Sequence, residues 1–196
     1  AGPGVSLGGG FANITHLIGG SGSDELRAEV TATTGIVLNN WAAAGPAPSQ
    51  NGQTENVAPN NEVAGALHTV IAHPTNADIL YAASTNGGIW RTMNATAVSP
   101  TWVPLTDDLT AQSIGAMTFD PANPNRILAG IGRYSSFGRA GSSLDGLLLS
   151  EDGGDSWTQI MDPLLLGENI SGVVLQGNLM LASANFLGGP GGLYRS

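Results

Sequence analysis

Apolar and polar residues alternate in short runs along most of this chain, and the runs recur in a fixed order. Ala66-Leu67-His68-Thr69-Val70-Ile71-Ala72 has the two-residue period of a half-buried strand. A Pro/Asn-rich turn from His73 to Asp78 follows, then three more short apolar runs: residues 79–83, 88–92 and 101–105. The same succession returns at 114–119, 127–130, 146–150 and 157–160, and again at 170–175, 179–182 and 192–196. Gly, Pro, Asn and Asp punctuate the runs, as turn-forming residues do between strands.

A repeated unit of four strands is the signature of propeller blades. Thr92, Ser150 and Ser196 close the third strand of each unit and are spaced 58 and 46 residues apart. The predicted fold is therefore all-β: a partial β-propeller of four-stranded antiparallel blades over residues 63–106, 107–162 and 163–196, the last incomplete. Propellers close with about four to eight blades. Two blades and most of a third predict a piece of a longer polypeptide, or a subunit completed by its neighbours. The start at Ala1, with no Met and no signal-like segment, points the same way.

Residues 1–62 read differently. Residues 1–35 are Gly-rich, and 42–62 form a Pro/Asn/Gly/Gln-rich connection with little periodicity. Between them Ile36-Val37-Leu38-Asn39-Asn40-Trp41 predicts a short strand. The 36–62 stretch is either a plain linker or carries, at 36–41, an outer strand that closes the ring with Trp41 packed on its edge.

Composition narrows the function classes. The chain has 196 residues, enough for a substantial core, with 29 Gly, 11 Pro and no Cys. Its net charge is −9, and all six basic residues are Arg. That balance argues against tracking a phosphate backbone and against adhesion to anionic lipid. It suits an exported acidic protein. The lack of Cys excludes a disulfide scaffold and thiolate metal sites. No run approaches the ~18 apolar residues of a membrane span.

The most specific motif is Ser150-Glu151-Asp152-Gly153-Gly154-Asp155-Ser156-Trp157, which fits S-x-D-x-G-x-x-W at Ser150, Asp152, Gly154 and Trp157. In such a turn the Asp accepts backbone N–H groups, the Gly adopts a conformation side chains resist, and the Trp buries apolar area at the next strand. A degenerate copy has Thr92, Asn94 and Trp102, with extra residues before the Trp. With 73–92 and 120–130, these motifs make residues 63–196 resemble the BNR/Asp-box β-propeller superfamily. That group includes sialidases, xyloglucanase-type glycoside hydrolases and sortilin-type receptors. The resemblance implies that the turns are fold elements on the side away from any ligand. Leu17 to Leu26 resembles one calcium-binding nonapeptide of RTX proteins, which implies calcium at Asp24; a plain β-turn is the other reading. Together these features look most like the propeller part of large exported bacterial surface proteins, extracellular or cell-surface.

Candidate chemistry is sparse. A sialidase clamps a carboxylate with three Arg; here Arg91 and Arg195 occupy equivalent strand positions and Arg126 a turn. The xyloglucanase-like enzymes carry a catalytic Asp just before the Gly-Gly of the first blade, and this chain has Thr85 there, with no acid between Asp78 and Asp107. The long loop 132–144 offers Arg133, Tyr134, Phe137 and Arg139 as a contact surface for a glycan or partner protein, unless its aromatics tuck onto the blade. His16, His68 and His73 lack metal-ligand spacing; His68 is expected to pack in a strand and His73 to sit in a turn. Asp107-Asp108 and Glu151-Asp152-Asp155 read as solvated acidic turns. The expected function is a non-catalytic structural or adhesive module, partnered by the remainder of its polypeptide or by neighbouring subunits. The alternative is a carbohydrate-active enzyme whose catalytic residues lie on other blades.

Overall fold

A computed structural model describes residues 65–135, 140–185 and 190–196. The Gly-rich segment with Asp24, residues 36–62 with Trp41, and the loop residues Phe137 and Arg139 lie outside the described residues. Among the described residues eleven strands form three antiparallel meanders. The first sheet holds β1 (Leu67–Ala72), β2 (Leu80–Ser84), β3 (Ile89–Thr92) and β4 (Trp102–Pro104). The second holds β5 (Ile114–Asp120), β6 (Asn123–Ile131), β7 (Leu147–Ser150) and β8 (Thr158–Ile160). The third holds β9 (Asn169–Gln176), β10 (Leu179–Asn185) and β11 (Gly192–Arg195). Each sheet runs in chain order, and β5 lies beside both β1 and β9. The chain is all-β and forms part of a β-propeller, with first strands innermost and sheets stacked face to face. No helix among the described residues is long and apolar enough to cross a membrane.

Stacking explains the sequence pattern. The middle blade is covered on both faces, so β6 reads as a continuous run, Ile127 to Ile131, and every residue of it is buried. One face sends Ile127, Ala129, Ile131 and Leu148 against Tyr81, Ala83 and Ile89 of the first blade. The other sends Leu128 and Leu147 against Ile170, Leu175 and Ala182 of the third. Successive residues of a strand point to opposite faces, so alternate positions serve the two seams. Gly130 belongs to the second seam because a Cβ there would run into the Ile170 side chain and lie 3.1 Å from Val173 Cγ1.

One turn differs from expectation. Residues 120–125 read as a loop, yet β6 begins at Asn123, and Asp120 pairs with it across a shift of register after Phe119. Asp120 Oδ1 accepts the Ala122 N–H at 3.0 Å, which tightens the turn to two residues. Pro124 is tolerated because β6 pairs with β7 only from Ile127 onward.

Candidate functional site

The strand connections gather at two ends of the blades. One end carries the hairpin turns after each first and third strand. There Ser150, Asp152, Gly154 and Trp157 form a closed turn. Ser150 Oγ lies 2.8 Å from Asp152 Oδ1 and accepts the Gly154 N–H at 2.7 Å. Asp152 accepts the Ser156 N–H at 2.9 Å and the Ser156 hydroxyl at 2.5 Å. The Ser156 hydroxyl, then its N–H and Ser150, hold the Asp152 carboxyl down at about 2. Gly154 has φ +91°, and a Cβ on it would press on Leu105 Cδ1 at 2.7 Å. The first blade builds the same network with other residues. Thr92 Oγ1 donates to Asn94 Oδ1 at 2.9 Å, and Asn94 Oδ1 accepts the N–H of Thr101, the residue before Trp102, at 2.9 Å.

This turn also joins blades. Gly153 O accepts the Tyr81 hydroxyl at 2.6 Å and Arg91 Nη1 at 2.8 Å, and Arg91 Nη1 reaches Asp155 at 2.8 Å. The first-blade residues Arg91 and Tyr81 are thus occupied by the second blade's hairpin, which leaves Arg91 unsuited to a carboxylate clamp. Arg126 is likewise engaged, with Asp120 at 2.9 Å and Gly177 O at 2.6 Å.

The opposite end carries the loops after each second and fourth strand, and it brings different residues together. Each first strand has a register irregularity near its start: between Leu67 and Thr69, between Ile114 and Ala116, and opposite the step from Ser183 to Ala184. The residues at these bulges are His68, Gly115 and Ser171. Bulges re-aim side chains, and Tyr134, from the loop after β6, meets all three. It stacks on His68 with centroids 4.4 Å apart and planes 13° from parallel. A Cβ on Gly115 would lie 2.6 Å from Tyr134 Cε2, so the ring takes the room that a side chain would fill. Burial raises the Tyr134 phenol above its ordinary range, and a hydrogen bond with Ser171 opposes that shift. Tyr134 Oη also reaches Asn169 O at 3.4 Å. Tyr134 is half-buried, while His68 is exposed. Sequence reasoning picked Tyr134 but assigned His68 to strand packing; the displaced register at the start of β1, invisible in the sequence, turns the imidazole outward.

Around this stack the polar groups are interlinked. Asn169 donates to Asn185 Oδ1 at 2.6 Å and accepts the Arg133 N–H at 2.5 Å. Arg133 Nε donates to Ser142 O at 2.6 Å, so its guanidinium braces its own loop. Ser113 and Ser142 exchange hydrogen bonds at 3.1 and 2.9 Å, and Ser113 Oγ donates to Asn86 Oδ1 at 2.7 Å. Thr85 is buried, its hydroxyl donating to Ala66 O at 3.0 Å, where it ties the β2–β3 loop to the entry of β1. Among the described residues, no group of three or more His, Asp or Glu is placed to hold a metal ion.

No family model matches the chain. It is similar to curated xyloglucanases. It is 28% identical over 113 residues to one from Paenibacillus sp, a match covering 55% of this chain and 10% of that protein. It is 26% identical over 113 residues to a xyloglucanase of Acetivibrio thermocellus, covering 55% of this chain and 13% of that one. An oligoxyloglucan-reducing end-specific xyloglucanase of Emericella nidulans is 29% identical over 110 residues, with 54% and 13% covered. The chain thus spans about a tenth of the length of these relatives. Among solved structures, the GH74 xyloglucanase from Xanthomonas campestris superposes with a TM-score of 0.49 at 21% identity, covering 64% of this chain and 20% of that one. The GH74 enzyme of Niastella koreensis gives 0.47 at 21% identity, with 64% and 19% covered.

Proposed function

We propose that these blades are part of a polysaccharide-acting propeller protein of the xyloglucanase kind, and that they supply sugar contacts rather than the hydrolytic groups. The observation that carries this reading is the exposed His68 ring stacked on Tyr134. A pyranose ring presents apolar C–H faces and a rim of hydroxyls, so it is recognised by ring stacking and by neutral amides and hydroxyls. His68 offers an exposed ring, and Ser171, Asn86 and Asn185 lie at the same end of the blades. Thr85 supports the non-hydrolytic half of the proposal. Glycoside hydrolysis needs paired carboxylates, and a threonine whose hydroxyl is engaged by Ala66 O supplies neither acid nor base. A polymer substrate would be met outside the cell, which agrees with the acidic composition.

Calorimetric titration of the chain with xyloglucan oligosaccharides, alongside an assay for released reducing ends, tests both halves. The expected result is binding without hydrolysis, weakened about tenfold by His68→Ala, a loss of about 1.4 kcal/mol. Absence of binding to every neutral glucan would return the chain to the structural or adhesive reading. Released reducing ends would overturn the assignment of Thr85.

A further inference from the structure

We propose that Asn86-Gly87, at the loop end of the first blade, is a self-modifying site, where the folded chain converts the Asn86 amide into a carboxylate through its own backbone. The reaction needs the backbone nitrogen that follows an asparagine to reach that asparagine's side-chain carbonyl carbon. A glycine in that place leaves the approach open, because it has no Cβ to obstruct it. The pair lies in the β2–β3 loop, and both residues are exposed to the water that completes the reaction.

Both reacting groups are held by buried serines. Gly87 N–H donates to Ser84 Oγ, and Ser84 is buried. Asn86 Oδ1 accepts the Ser113 hydroxyl at 2.7 Å, and Ser113 is buried completely. Ser113 Oγ also accepts the Ser142 N–H at 2.9 Å, so its own proton is committed to Asn86. These two hydrogen bonds sit where charge moves. Ser84 Oγ accepts the N–H whose proton must leave. Negative charge gathers on Oδ1 as the carbonyl is attacked, and a fixed donor there is worth most at that moment. Partners placed in advance also remove part of the cost of orientation.

The bond from Gly87 N to Asn86 Cγ forms and the Cγ–Nδ2 bond breaks. The proton from Gly87 N ends on the departing ammonia, which leaves a five-membered imide. Water opens the imide at either carbonyl and gives aspartate or isoaspartate; nothing is oxidised or reduced. The turn itself does not demand glycine at 87. It is Gly88 that has φ +68° and whose added Cβ would run into Thr106 and Gln112, whereas a Cβ at Gly87 would meet the Ser84 side chain alone. Aspartate at 86 would keep an acceptor for Ser113 and place a charge beside Thr85. Isoaspartate moves a side-chain carbon into the main chain and undoes the tie to Ser113.

The test follows the amide-to-acid mass gain at Asn86 by peptide mapping, during incubation of the whole chain at neutral pH. The expected result is conversion in the folded chain at least as fast as in the chain unfolded by guanidinium. It should be about fivefold slower in Ser113→Ala, the worth of one neutral hydrogen bond. Gly87→Ala should suppress it while keeping a Tm close to that of wild type. Conversion confined to the unfolded chain would overturn the proposal, and so would an unchanged or faster rate in Ser113→Ala, since the serines would then not promote the reaction. The inference does not rest on the sugar reading, because the mass gain is read whether or not a glycan binds.

Discussion

The two seams between blades solve one packing problem with different chemistry. In the first, the hairpin turn of the second blade is held from outside by Tyr81 and Arg91, which converge on Gly153 O, and by Trp157 packed with Leu105. In the second, the polar tie sits at the inner turns. Asp120 Oδ2 accepts the Gly177 N–H at 2.9 Å and meets Arg126, and Arg126 also donates to Gly177 O. Backbone hydrogen bonds and then Arg126 hold the Asp120 carboxyl below its usual range. A second tie joins Arg133 N–H and Tyr134 to Asn169 at the loop end; between the two the second seam is apolar, with Leu128 and Leu149 standing where the first has Tyr81 and Arg91. Sheets of similar outline can thus be fastened at either margin, provided that the buried polar groups at the fastening are paired.

Leu128→Ala should give the largest effect that sharpens this contrast. Leu128 is fully buried in the second seam, and large-to-small changes there cost about 3 kcal/mol, read by denaturant unfolding. Tyr81→Phe in the first seam should cost only about 1 kcal/mol, because it removes one hydroxyl donor while Arg91 still serves Gly153 O. If the ranking came out reversed, the first seam would depend on its polar latch more than on its apolar packing, and the contrast would fail.

The strands were legible because each carries its own period and turn residues. The run 114–119 is observed as Ile114–Asp120, and 79–83 as Leu80–Ser84. The equivalence of Thr92, Ser150 and Ser196 was legible too, since each ends a third strand before a turn. The grouping at the loop end was not. His68, Gly115 and Ser171 are 47 and 56 residues apart, and only bulges in three separate sheets bring them to one aromatic ring. No local pattern announces a bulge whose partner residue lies in another blade. Function was legible only as a pair of readings, and similarity to xyloglucanases favours the carbohydrate-active alternative over the adhesive module.

The smallest predicted effect separates the two hairpin turns by charge. Asp152 in the second blade and Asn94 in the first accept equivalent hydrogen bonds, but only Asp152 titrates. Its carboxyl is held at about 2, first by the Ser156 hydroxyl, against an unfolded value of about 4. A depressed folded value stabilises above the unfolded pKa and is lost as pH falls through the folded one. Asp152→Asn keeps an acceptor oxygen and discards the charge, so wild type should melt slightly above the variant at pH 7. That margin should shrink from about pH 4 and vanish near pH 2. Asn94→Ala should lower Tm by an amount that stays constant over the same range, because the Asn94 amide has no proton to gain. A margin for Asp152→Asn that is flat with pH would mean that the carboxylate's charge adds nothing to the turn, and that the two hairpins are equivalent in chemistry as well as in shape.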